Sequence, residues 1–72
     1  MSSRPFDLLN EAVGKEVLVV TKGDLHFRGT LKAFDVHMNI VLENAEELVN
    51  GETKKKYGKL MIRGDTVILI SP

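Results

Sequence analysis

A chain of 72 residues makes one small domain, and such a domain buries only about 60% of the surface that its unfolded chain exposes. Ten basic and ten acidic side chains cancel, which excludes bulk positive charge as the means of holding nucleic acid. There is no cysteine and the two histidines stand apart in the chain, so neither a disulfide nor a structural metal site is expected; oligomerisation is the remaining staple for a thin core.

No apolar run approaches the roughly 20 residues of a membrane span. The opening Met-Ser-Ser-Arg-Pro has no signal-peptide core, and the expected location is the cytoplasm. Ser3 is a good N-cap, Pro5 suits the first turn and Gly14 suits the end of a helix over about residues 4–13. Phe6, Leu8, Leu9, Ala12 and Val13 give that helix an apolar stripe. A helix this short is marginal alone, so the stripe is expected to dock on a sheet. Arg4, on the exposed side, is a candidate second contact.

Glu16 to Thr21 reads as a valine-rich strand and Lys22-Gly23-Asp24 as a hairpin turn. In the next strand Leu25, Phe27, Leu31 and Ala33 face one way. His26, Arg28, Thr30 and Lys32 face the other, and His26 reads as solvated. Extended from Leu25 to Val36 at about 3.3 Å per residue, this strand would approach about 40 Å. The expected radius of gyration is only about 11 Å. It must therefore bend, most naturally at Gly29, and the change of phase at Ala33-Phe34 marks a bulge or the strand's end.

Val36, Met38, Ile40 and Leu42 alternate with His37, Asn39, Val41 and Glu43. As an extended segment running to Glu47, this places His37 and Asn39 side by side on one face. A ring that can stack and an amide that can donate and accept suit recognition of a base. Asn50-Gly51 is a strong turn signal inside a polar loop of about residues 48–56. In that loop Lys54-Lys55-Lys56 reads as a solvated run or edge guard, or as a phosphate contact. Tyr57 to Arg63 is a fourth strand with Leu60 and Ile62 on one face, Arg63-Gly64-Asp65 a tight turn, and Thr66 to Ile70 a fifth strand. Val67, Ile68, Leu69 and Ile70 are apolar on both faces, which marks this strand as a subunit interface. The whole is mostly β: a short N-terminal helix on a strongly bent five-stranded antiparallel barrel, in one domain over residues 1–72.

Phe27-Arg28-Gly29-Thr30-Leu31-Lys32-Ala33-Phe34-Asp35-Val36-His37-Met38-Asn39-Ile40-Val41-Leu42 resembles the first motif of the Sm-like family, which would span about residues 16–47. Tyr57-Gly58-Lys59-Leu60-Met61-Ile62-Arg63-Gly64-Asp65-Thr66-Val67 resembles the second, over about residues 57–70, and the bare chain is most similar to the short archaeal members. The one small departure is Ala33, where glycine is frequent. The resemblance implies an SH3-like barrel and a homo-oligomeric ring of about seven subunits, the fifth strand pairing with a neighbour's fourth. It implies that single-stranded uridine-rich RNA binds around the pore. His37 and Arg63 match the residues that sandwich a base, Asn39 the one that reads uracil and Asp65 the one that supports it, an acceptor that could orient Asn39 or Arg63. Gly64 permits the turn that brings Arg63 to the pore, and Asp35 belongs to the supporting motif.

The chemistry suits the match. Uracil offers an N–H flanked by two carbonyls, which a carboxamide can pair, and planes on either side of a base add about 1–3 kcal/mol per base. Repetition around a ring raises affinity without a basic surface. The expected role is an RNP core, RNA chaperone or RNA-processing scaffold, with RNA-processing proteins as further partners and no cofactor. A ring that binds proteins and little RNA is the alternative. No nucleophile–base pair, paired carboxylates or metal-spaced histidines support an enzyme.

Overall fold

The computed structural model describes residues 4–72. Helix α1 spans Pro5–Ala12, with Arg4 at the N-cap position and Pro5 beginning the first turn; Ser3, the expected cap, lies outside the described residues. Only Leu9 and Ala12 of the apolar stripe are buried, whereas Phe6, Leu8 and Val13 stay near half exposed. Val13 caps the helix. Gly14 follows it in a left-handed backbone at φ +88°, which glycine adopts at no steric cost, and donates to the Leu31 carbonyl at 2.8 Å. The helix end is thereby pinned to the sheet.

Five strands follow: β1 (Glu16–Thr21), β2 (Leu25–Phe34), β3 (Ile40–Val49), β4 (Glu52–Ile62) and β5 (Val67–Ser71). They form one antiparallel sheet in the order β4-β3-β2-β1-β5. The bend falls where β2 carries Gly29. The β2–β3 register shifts between Arg28 and Thr30, and a Cβ on Gly29 would lie 3.0 Å from the Glu43 carbonyl oxygen and 3.1 Å from the Ala45 Cα. The missing side chain lets β3 cross that close. A second shift falls between Leu31 and Ala33, just before the strand ends. Leu31, Ile40, Leu42, Val17 and Val19 are completely buried at the centre of the bent sheet.

Two expectations need correction. Residues 36–39 are not extended: β3 begins at Ile40, Met38 has φ +63°, and Val36 is 72% exposed rather than part of the core row. The cause is local. The Asp35 carboxylate captures the N–H groups of His37 and Asn39, giving the backbone an alternative to the ladder.

The polar loop over 48–56 is also absent. Val49 pairs with Glu52, so only Asn50 (φ +53°) and Gly51 (φ +81°) turn the chain, as a two-residue hairpin with both central residues left-handed requires. The polarity belongs to a cross-strand ladder. Glu46 faces Lys56 and Glu47 faces Lys55. The Thr53 hydroxyl donates to Glu46 at 2.7 Å and the Tyr57 hydroxyl to Glu47 at 2.8 Å. Arg28 donates to the same Glu46 from Nε and Nη2, at 3.2 and 3.0 Å. The Thr53 bond, then Arg28, hold the Glu46 carboxyl below its usual value.

The outer strands are β4 and β5, and among the described residues no ladder joins them. Val67 and Ile70 pack against the core, whereas Ile68 and Leu69 are 63% and 48% exposed. On the opposite edge Met61 is 71% exposed. Both edges therefore present apolar side chains together with unpaired backbone groups.

Candidate nucleic-acid interface

The connection from β2 to β3 is built around Asp35. Its Oδ1 accepts from the N–H of His37 at 2.9 Å and from that of Asn39 at 3.1 Å. Its Oδ2 accepts from Asn39 Nδ2 at 3.0 Å. Two backbone bonds close the loop, Met38 N–H to the Asp35 carbonyl at 3.0 Å and Asp35 N–H to the Asn39 carbonyl at 3.2 Å. The Asn39 side-chain bond, followed by the backbone N–H groups of Asn39 and His37, holds the Asp35 carboxyl below its ordinary value against an opposing effect of desolvation.

The second half of the site comes from the link between β4 and β5. Arg63 precedes a single turn of 3-10 helix over Gly64–Thr66, and Thr66 secures that turn by donating its hydroxyl to the Arg63 carbonyl at 2.7 Å. Gly64 is the contact point between the halves. Its N–H donates to Asn39 Oδ1 at 2.8 Å. A Cβ there would run into the His37 carbonyl oxygen and fall 2.7 Å from the carbonyl carbons of His37 and Met38. Glycine is needed for this close approach rather than for the turn itself, because its φ is not in the left-handed region.

Together the two links line a hollow of about 480 Å³ with Val36, His37, Met38 and Asn39 on one side of the sequence and Arg63, Gly64 and Asp65 on the other. Asn39 enters it with a fixed orientation. Of its two N–H groups one is held by Asp35, and of its two lone pairs one is held by Gly64. One donor and one acceptor remain. Arg63 is 79% exposed, its Nη2 3.3 Å from Asp65 Oδ2.

Comparison with known proteins bears on this arrangement. The LSM domain family model matches residues 7–72, nearly the whole chain. The chain belongs to the Sm-like (LSM) family. An Sm-like protein of Methanosarcina barkeri is 53% identical over 72 residues, all of both chains. Among solved structures, a Pyrococcus abyssii Sm protein in complex with a uridine heptamer superposes with a TM-score of 0.93 at 47% identity, over 97% of this chain and 99% of that one. A heptameric archaeal Sm protein gives 0.86 at 41% identity, over 92% and 96%.

In this Sm-like chain His37, Asn39, Arg63, Gly64 and Asp65, all singled out in the sequence, share one hollow. Of the two side chains that an acceptor at Asp65 could orient, Asn39 or Arg63, it pairs with Arg63, while Asn39 is held by Asp35 and by the Gly64 backbone. The motif alone did not assign this role; the cue was local, an aspartate two and four residues ahead of the N–H groups it captures. Arg4 lies outside the hollow at the start of α1, where Nε is 3.2 Å from Asp7 Oδ2. Among the described residues no three His, Cys, Asp or Glu side chains converge as metal ligands, and no helix is long and apolar enough to cross a membrane.

Proposed function

We propose that this protein is a non-catalytic RNA-binding ring protein of the cytoplasm that holds single-stranded uridine-rich RNA at repeated sites around its pore, as an RNP core, RNA chaperone or RNA-processing scaffold. The observation that carries the reading is the pinned Asn39 amide inside a hollow that also holds His37 and Arg63. The uridine heptamer bound by the Pyrococcus abyssii relative supports the ligand class, and the archaeal relatives support the setting.

Each residue has a chemical task in this reading. His37 and Arg63 supply planes for the base; the guanidinium is flat and weakly hydrated, which suits stacking better than an ammonium. Asn39 reads the edge. Its oxygen and nitrogen ends are fixed by Gly64 and Asp35, so a stacked uracil meets an acceptor for its N3–H, where cytosine would present a bare lone pair. Asp65 steadies Arg63 through their contact. Arg4 would meet RNA only as a second, separate contact.

Assembly follows from the two unlike edges. Pairing β5 with β5, or β4 with β4, would leave the other apolar edge open. Pairing β5 of one subunit with β4 of the next satisfies both edges head to tail, and such pairing gives a ring when the rotation between subunits closes. The relative described as heptameric supports about seven subunits. Val67, Ile68, Leu69 and Ile70 are the proposed interface, with Ile68 and Leu69 available to the neighbour.

Titration of labelled oligouridylate against oligocytidylate and oligoadenylate, at fixed salt, tests the ligand. Preference for uridine is expected. Equal failure of all three oligonucleotides would instead favour a ring that serves as a protein scaffold.

A further inference from the structure

Met38 stands in a left-handed backbone, φ +63°, which residues with a Cβ adopt rarely. It completes the turn closed by its own N–H on the Asp35 carbonyl. At such a position in a short β-connection glycine or asparagine is the usual occupant. Methionine brings something that glycine lacks: a side chain that is half-buried against the core cluster. The loop is thus anchored from below at the residue between His37 and Asn39. The same residue's carbonyl carbon lies beneath Gly64, within reach of any Cβ placed there.

We propose that Met38 is the positioning residue of the site: its left-handed backbone and its apolar anchor together set His37 and Asn39 toward the hollow and hold Asn39 Oδ1 under the Gly64 N–H. The role is distinct from contact with RNA. Its consequence for RNA rests on the function proposed above, whereas the loop geometry stands without it. An extended Met38 would send the chain on as a strand, as its alternating neighbours suggest, and would separate Asn39 from Gly64.

The test compares Met38→Val, Met38→Leu and Met38→Gly in the assembled protein, with two readouts. One is residue-resolved hydrogen exchange at the Gly64 amide, which needs no RNA. The other is the affinity ratio for oligouridylate over oligocytidylate. Valine, branched at Cβ, resists positive φ; Met38→Val is expected to lose protection at Gly64 and at least tenfold in oligouridylate affinity, with a reduced preference for uridine. Leucine keeps the anchor and should retain both. Glycine keeps access to positive φ but has no anchor, and should give partial loss of both.

Wild-type Gly64 protection in Met38→Gly and Met38→Val would overturn the proposal. Should Met38→Val fail to assemble, wild-type protection in Met38→Gly alone would overturn it, and reduced protection there would uphold it. If the native protein shows no preference for uridine while Gly64 protection follows the expected order, the positioning role holds and the RNA assignment fails.

Discussion

The Gly64 N–H donates to Asn39 Oδ1 at 2.8 Å, joining residues 25 positions apart. This bond makes one site of two loops. It fixes which end of the Asn39 amide is oxygen, and it requires the Gly64 backbone to lie directly against the His37 carbonyl.

Gly64→Ala tests that contact. The added methyl meets backbone rather than a flexible side chain, so one of the two loops must move. Overpacking of this kind costs about 1–3 kcal/mol. Thermal unfolding should shift down accordingly, with weaker oligouridylate binding in the assembled fraction; an unchanged midpoint would mean that the loops yield freely.

Arg63→Ala is expected to weaken oligouridylate binding by about 1–3 kcal/mol per site, the worth of one stacked plane, with the ring intact. Arg63→Lys should recover little of it, because an ammonium offers no plane. Fluorescence anisotropy at constant ionic strength, with mass in solution as a control, reads both.

Asp35 gives a pH signature. Its folded-state pKa is lowered from 3.8. Its contribution to stability is therefore fully present above that value and is lost as pH falls below it, toward the depressed folded-state pKa. Denaturant unfolding of the native protein and of Asp35→Asn should show a constant difference from about pH 7 to about pH 5, shrinking below about pH 4. A difference that grew on acidification would contradict the arrangement around Asp35.

Ile68→Asp places a carboxylate on the exposed apolar face of β5. In a β4–β5 interface that charge would be buried without a partner, which association cannot tolerate. Light scattering should report monomer or a small, concentration-dependent assembly. A native ring mass would show that Ile68 faces solvent in the assembly.

Strand identity was readable where burial enforces alternation. Phe27 and Leu31 in β2 are buried as their alternation predicts, whereas Leu25 and Ala33 of the same row, near the strand's ends, are exposed; the excess strand length pointed to Gly29 as the bend. The same alternation misled at Val36 and Met38. There a single carboxylate, Asp35, outcompetes the ladder, an effect that periodicity does not register. The polar stretch after Gly51 misled in the opposite direction: Thr53, Lys55 and Lys56 read as loop residues singly, yet each has a partner on β3. Which residues meet at the site was legible through the paired motifs, but the division of labour was not. That Asp35 holds Asn39 while Asp65 holds Arg63 is set by side-chain geometry inside each loop, which residue order does not give.

Native mass spectrometry of the protein, with and without a short oligouridylate, tests the central claim most directly. The account predicts a discrete ring of about seven subunits that gains oligouridylate in preference to oligoadenylate. A monomer, or a ring indifferent to both oligonucleotides, would contradict it.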